Sequence, residues 1–244
     1  SLYFCCMKII AVIPARYAAT RFPAKLMQML GNKPVIRHTY DAAVSTGLFS
    51  DVWVVTDSTI IYEEITSHGG RAVMSKRPHE SGSDRIAEAV AEMDVDVIIN
   101  VQGDEPFIKK EPLEKLVRLF DDENVQVGSL MRKINNAAEL NSSSAVKVVV
   151  NKKMDALYFS RSAIPFAANA EVAAPHYLHI GVYGFRKNML LQFTQWPPSL
   201  LEQVEKLEQL RYLENGIAIR MALVDFKSVA IDTPEDLERA KRML

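Results

Sequence analysis

Cysteine is nearly absent from this chain of 244 residues, and the two that occur, Cys5 and Cys6, are neighbours. Adjacent cysteines cannot staple distant segments, which excludes a disulfide scaffold and points to a reducing compartment, the cytoplasm. Apolar runs are short as well, well below the ~20 residues of a membrane-spanning helix. Excess charge is missing: 29 Lys and Arg stand against 30 Asp and Glu, a net charge of −1. No global field therefore favours nucleic acid or an anionic membrane, and neither is expected as a partner. Any polyanion must be held by a local cluster of cations. The chain lacks G-x-G-x-x-G and Walker A loops, so the dinucleotide and P-loop readings lose support. His176 and His179 lie three apart, but no Cys or carboxylate stands near them at zinc-ligand spacing. No Ser/His/Asp triad is evident.

What is present is ordinary for a globular protein: 48% apolar and 24% charged residues, enough chain for one large α/β domain or a core with a smaller lobe. Residues 1–6 lack a basic segment and a long apolar core, so they read as an expression remnant ahead of a natural start at Met7. From there, strand and helix patterns alternate. Strands are expected near Lys8–Ile13, Val52–Thr56, Ala72–Met74, Val95–Val101 and Val125–Met131. Helices are expected near Val35–Ser45, Ile60–His68, Ser83–Glu92 and Glu111–Phe120, with Gly69-Gly70 ending the second. This βαβ series implies a Rossmann-like, mostly parallel sheet flanked by helices. The second half changes character. Ala145–Val150, Ala156–Phe159 and Tyr177–Phe185 suggest a smaller, partly antiparallel lobe at about 132–198 within a single domain of 7–244. A helix from Ser199 to about Glu214 follows, opened by a capping box of Ser199 and Glu202. A strand near Ala218–Val224 precedes a last helix with Thr233 as N-cap and Pro234 in its first position.

The most informative segment is Asp96-Val97-Ile98-Ile99-Asn100-Val101-Gln102-Gly103-Asp104-Glu105-Pro106. A near-continuous apolar run reads as a strand buried on both faces. It breaks to leave Asp104 at the strand's C-terminal edge, where open α/β sheets bind ligands. A hard carboxylate there suits Mg²⁺, which binds through one or two carboxylates plus substrate phosphates. A simple turn is the competing reading, with Gly103 for backbone freedom, Asp104 as a turn residue and Pro106 as a stop. The first strand weighs against it. That strand opens into Pro14-Ala15-Arg16-Tyr17-Ala18-Ala19-Thr20-Arg21-Phe22-Pro23-Ala24-Lys25, a loop of small residues with three fixed cations, suited to phosphate.

Other constellations have two readings each. Asp232, just before the last helix, either complements the helix dipole or supplies a second metal carboxylate. Pro78-His79-Glu80-Ser81-Gly82-Ser83-Asp84-Arg85 is a capped helix start whose N–H groups could also meet a base or phosphate, and His79 is either polar surface or a ligand contact. His179 and Tyr183 share a strand face by even spacing and could line a polar pocket. Arg161 is a surface cation or a fork for a substrate carboxylate. The run Glu202, Glu205, Glu208, Gln209, Arg211 reads as a solvated helix face, with Glu205 and Glu208 together at i, i+3. Leu200, Leu201, Val204, Leu207, Leu210 and Leu213 form its apolar stripe, and Trp196 is a packing anchor.

Taken in order, these segments resemble the CMP-Kdo synthetases, the 3-deoxy-manno-octulosonate cytidylyltransferases of lipopolysaccharide synthesis. The resemblance is carried by Ile13 to Tyr17, Thr20 to Lys25, Ser81 to Arg85, Asn100 to Pro106, Ala145 to Val149, Ala156 to Pro165, His179 to Arg186, Leu207 to Arg211 and Asp232 to Leu237. It implies attack by the 2-hydroxyl of Kdo on the α-phosphorus of CTP, with pyrophosphate leaving. It implies Arg16, Arg21 and Lys25 on the triphosphate, and Ala15, Ser81, Gly82 and Arg85 near the nucleotide. Asp104 and Asp232 would hold Mg²⁺; Gln102, Arg161, His179, Tyr183, Glu208 and Gln209 would line the sugar-acid site. It also implies a homodimer. Three positions depart from the family pattern: Ala24 replaces a glycine, Lys76 an arginine, and Pro78 an acidic residue. The readings kept beside it are a CMP-sialate synthetase and a catalytically silent nucleotide-binding module.

Overall fold

The computed structural model describes residues 7–18, 22–79, 81–169, 171–172, 174–226 and 229–244. The chain divides into two compact units, Ser1–Leu113 with Ser228–Leu244, and Glu114–Lys227. The expected remnant at 1–6, with Cys5 and Cys6, lies outside the described residues. Among those described, no helix is long and apolar enough to cross a membrane.

The first unit begins with β1 (Ile9–Ala15) and, after a 3-10 turn at Lys25–Met27, a short hairpin of β2 (Met29–Leu30) and β3 (Lys33–Pro34). There follow α1 (Val35–Ser45), β4 (Asp51–Thr56), α2 (Thr59–Thr66), β5 (Ala72–Met74), α3 (Gly82–Val90) and β6 (Val97–Asn100). Strands β6, β1, β4 and β5 lie side by side and all parallel. Burial explains why β1 and β6 are almost unbroken in Ile and Val: Ala11, Val12, Ile13, Val97, Ile98 and Ile99 are fully inaccessible. Each such Val or Ile contributes about 1.5–3 kcal/mol by leaving water. Helix α2 is capped by the Ser58 side chain and stops where Gly69 takes φ +80°, the left-handed exit that glycine adopts without strain.

Helix α4 (Lys110–Arg118) contains the division between the units. The second unit holds β7 (Val127–Lys133), α5 (Ala137–Asn141), β8 (Lys147–Val150), β9 (Ala156–Ser160), β10 (Tyr177–Arg186), α6 (Lys187–Phe193), α7 (Leu200–Glu205), α8 (Leu210–Glu214) and β11 (Ile219–Leu223). Here β10 runs antiparallel to β7 and β8, β8 antiparallel to β9, and β11 parallel to β7. The lobe expected at about 132–198 lies inside this unit. Helix α9 (Pro234–Lys241) returns to the first unit. The molecule is thus α/β, with parallel, helix-flanked strands in one unit and mixed, largely antiparallel strands in the other.

One expected helix is broken. The periodicity runs from Ser199 to Glu214, but Lys206 adopts φ +55° and separates α7 from α8. Arg161 explains the stop. Its Nε donates to the Glu205 carbonyl at 2.7 Å and Nη2 to that of Lys206 at 3.2 Å, a cation on the helix C-terminus where the dipole favours it. Nor is the charged face solvated. Arg211 grips Glu202 with two parallel bonds of 2.7 and 2.6 Å, and both side chains are nearly buried. The apolar stripe divides likewise: Leu207 and Leu210 are buried, whereas Leu200 and Val204 are exposed. Trp196 packs edge-on against Phe193 and Tyr212, as an anchor should.

Candidate active site

The site of the first unit is assembled where β6 ends. Val101 still donates to the Val12 carbonyl at 3.1 Å, and then the chain leaves the sheet. Gly103 sits in a crowded place: a Cβ there would stand 3.3 Å from the Pro14 carbonyl oxygen and 3.2–3.3 Å from the side chains of Ile36 and Leu26. The Thr39 hydroxyl, buried on α1, donates to the Gly103 carbonyl at 2.9 Å. Asp104 is therefore held by sheet and helix together.

Asp232 is brought beside it by the backbone. Ile231 N–H donates to the Asp104 carbonyl at 2.9 Å. Thr233 caps α9, with Asp236 N–H on its Oγ1 at 3.2 Å and the Asp236 carboxylate accepting from the N–H groups of Thr233 and Asp232 at 3.0 Å. The expected cap and Pro234 are both in place. Burial works to raise the Asp236 carboxyl's pKa, but these N–H donors outweigh it and hold the pKa below the usual carboxylate range. Asp232 is left free to turn its side chain into the cleft.

Lys25 completes the trio. Ala24 takes the left-handed conformation, φ 51° and ψ 31°, and starts the 3-10 turn that buries Leu26 and projects Lys25. The Lys25 ammonium donates to Asp104 Oδ2 and, at 2.8 Å, to Asp232 Oδ1. Burial alone would lower its pKa; the two carboxylates prevail and hold it above the ordinary lysine value. Two hard oxygens thus already converge on one cation, the arrangement a Mg²⁺ ion held by carboxylates and phosphate requires. Among the described residues no group of three or more His, Cys, Asp or Glu could hold a metal.

Lys25, Gln102, Gly103, Asp104, Asp232 and Arg16 line a cleft of about 300 Å³. Arg16 is exposed and forms no hydrogen bond or ion pair among the described residues. Arg21 lies outside the described residues. A smaller adjoining hollow, about 140 Å³, is lined by Ala15, Arg16, Ser81, Gly82, Arg85 and His79, among others. Ser81 caps α3, accepting from Asp84 N–H at 3.1 Å. Arg85 is buried and already engaged, donating to Ser75 Oγ at 2.9 Å and Asp57 Oδ2 at 2.8 Å; it fixes the ends of β4 and β5. His79 is not surface. Its side chain is 3% exposed, with Nε2 3.0 Å from Glu88 Oε2.

In the second unit, a bulge in β10 between Ile180 and Tyr183 shapes a polar cluster. On a straight strand, residues four apart are separated by about 13 Å; here the His179 and Tyr183 rings are 5.3 Å apart. Ser129 Oγ stands 2.9 Å from the Val182 carbonyl and 3.0 Å from His179 Nε2. If the hydroxyl gives its one proton to that carbonyl, Nε2 carries the imidazole proton and Nδ1 is the acceptor. Burial pushes the pKa of half-buried His179 down to about 3 and raises that of Tyr183 well above its usual value with help from the Glu208 charge. Glu208 and Gln209 follow the αL break at Lys206, and Gln209 is buried at the start of α8.

Arg161 has its three nitrogens on backbone carbonyls: Nε on Glu205, Nη2 on Lys206 and Nη1 on Ser143 at 3.0 Å. It is neither a plain surface cation nor an open fork. Lys147 carries a role that sequence reading passed over. It is fully inaccessible, and its Nζ donates to the carbonyls of Ser142 at 2.8 Å, Ala145 at 2.6 Å and Arg161. A lysine inside a Val-rich strand was the available signal, because a buried charge must find partners.

A family model described as cytidylyltransferase matches residues 10–221. A 3-deoxy-manno-octulosonate cytidylyltransferase from Flavobacterium johnsoniae is 58% identical over 241 residues, 98% of this chain and 99% of that protein. One from Christiangramia forsetii is 50% identical over 240 residues, 97% of each. Among solved structures, a CMP:2-keto-3-deoxy-manno-octonic acid synthetase complexed with CTP superposes with a TM-score of 0.92 at 41% identity, covering 97% of this chain and 98% of that one.

Proposed function

The chain belongs to the cytidylyltransferase family, among the 3-deoxy-manno-octulosonate cytidylyltransferases, and from that premise we propose that it joins CTP and 3-deoxy-D-manno-octulosonate to give CMP-Kdo and pyrophosphate. An oxygen–phosphorus bond forms between the Kdo 2-hydroxyl and the α-phosphorus. The bond from that phosphorus to the bridging oxygen of the β-phosphate breaks, pyrophosphate departs with the electron pair, and the hydroxyl proton passes to solvent. Such a displacement asks the protein for in-line positioning and charge neutralisation, not for a covalent nucleophile.

The observation that carries this reading is the convergence of Asp104, Asp232 and Lys25 at the C-terminal edge of β6, beside the loop that follows β1. In the proposed roles, Arg16, Arg21 and Lys25 neutralise the triphosphate. Ala15, Ser81 and Gly82 approach the nucleotide, and Arg85 stiffens that wall through Asp57 and Ser75. Asp104 and Asp232 would hold Mg²⁺, which when bound supplies Lewis-acid neutralisation of phosphate charge. Gln102, His179, Tyr183, Glu208 and Gln209 take the sugar acid. Neutral His179 offers Nδ1 as an acceptor for a sugar hydroxyl, a role that imidazolium could not fill. The reading also places the enzyme in the cytoplasm, as a homodimer.

The test is pyrophosphate release with CTP and Mg²⁺, using Kdo in one arm and N-acetylneuraminate in the other. Release with Kdo alone is expected. Release with N-acetylneuraminate alone would reassign the acceptor, and release with neither would favour the catalytically silent module.

A further inference from the structure

We propose that Lys25 is the resident counter-ion of the Asp104–Asp232 pair, and that it makes divalent-cation binding conditional on a nucleoside triphosphate. The inference rests on the Mg²⁺ and CTP reading above and adds a coupling between the two. One ammonium donates to both carboxylates. The oxygens that would take the metal are therefore already occupied by a positive charge within the protein. Lys25 and Asp104 are each about one-fifth exposed and Asp232 about one-half, so water screens the Lys25–Asp104 contact less than the one to Asp232. The ammonium takes one oxygen of each carboxylate, Asp104 Oδ2 and Asp232 Oδ1, and a Mg²⁺ ion bound to those two oxygens at about 2.0–2.1 Å displaces it.

The fold provides for that exchange. The backbone at Lys25 is fixed by the turn that begins at left-handed Ala24 and by buried Leu26, while the side chain is a flexible four-carbon stem. Nothing among the described residues holds Arg16, which lines the same cleft. The two cations therefore differ in readiness: Arg16 can meet incoming phosphate at once, whereas Lys25 exchanges carboxylate for phosphate. Without nucleotide, withdrawing Lys25 would strand its charge, and divalent binding is weak. With a triphosphate present, the ammonium gains new partners as it frees the carboxylates, and both ligands bind more tightly. By linkage, the gain must be the same for metal and for nucleotide.

Mn²⁺ titration followed by electron paramagnetic resonance tests this directly, because free and bound ion are distinguished without turnover. Wild type, Lys25→Met and Lys25→Gln are titrated without nucleotide, with thermal unfolding to confirm that each is folded; the glutamine variant keeps a hydrogen-bond donor but no charge. Both variants are expected to bind Mn²⁺ about tenfold more tightly than wild type, and adding Asp232→Asn is expected to abolish that gain. In a second arm with CTP, the increase in protein-bound Mn²⁺ affinity is expected to be large in wild type and small in the Lys25 variants. Equal affinity of wild type and both variants without nucleotide, with metal still taken up when CTP is added, would overturn the coupling and leave the metal reading intact. Absence of Mn²⁺ at the Asp104–Asp232 pair in every variant, with and without CTP, would overturn the metal reading itself.

Discussion

The N–H of Ile231 donates to the carbonyl of Asp104 at 2.9 Å, and this one backbone bond sets Asp232 beside the carboxylate it needs. In the proposed metal-binding role, Asp104→Asn and Asp232→Asn each remove a charge from the point where phosphate charge would be neutralised. Each is expected to lower kcat at least about a hundredfold, or about 2.7 kcal/mol of transition-state stabilisation, without loss of fold. Steady-state rates at saturating Mg²⁺ decide it; near-normal turnover would remove these residues from the chemistry.

Arg161 is expected to act on the second unit's stability as well as on the sugar acid. Its loss leaves the carbonyls of Ser143, Glu205 and Lys206 without their donor. Arg161→Ala should cost about 1–3 kcal/mol in denaturant unfolding. It should also raise KM for the sugar acid more than KM for CTP, since Glu208 and Gln209 follow directly on the segment it holds. Unchanged stability together with equal effects on both KM values would contradict this.

Ala24 offers a gain. A non-glycine residue at φ 51° carries a left-handed penalty of about 1–2 kcal/mol, partly offset by the greater unfolded-state freedom of glycine. Ala24→Gly is expected to stabilise the protein by up to about 1 kcal/mol. A lower unfolding midpoint would show that the turn is not strained at this residue.

His179 gives a pH signature. Its folded pKa of about 3 lies below the unfolded value of 6.5. At pH above 6.5 neither state is protonated and the residue costs nothing. As pH falls from there toward 3, the unfolded state takes up a proton that the folded state refuses, so stability declines, at most by about 1.4 kcal/mol per pH unit. Unfolding midpoints between pH 7 and 4 should therefore fall less steeply in His179→Gln than in wild type. Parallel slopes would mean that the ring accepts a proton in place.

Much of the first unit could be read without coordinates. Its β1, β4 and β6 are apolar runs bounded by turn chemistry, and burial on both faces makes such runs conspicuous. The Gln102-Gly103-Asp104 break and the Thr233-Pro234 helix start were legible for the same reason: local rules of capping and backbone freedom act within a few residues. The second unit resisted. The periodicity from Ser199 to Glu214 is helical, yet Arg161, distant in sequence, claims the carbonyls at Glu205 and Lys206 and stops the helix. Glu202 and Arg211 look like solvated charges until their mutual fork removes them from water. Lys147 looks like one residue of a strand until three carbonyls converge on it.

The sequence by itself determined the parallel α/β frame, the loop after β1 and the two acidic positions, because strand burial, turn geometry and helix capping are short-range. Only the tertiary structure decided that Lys25 stands between Asp104 and Asp232, that the β10 bulge draws His179 to Tyr183, and that Arg161 is committed to carbonyls. Those outcomes depend on charges and backbone groups far apart in the chain meeting where water is scarce, and no local pattern records which of them will meet.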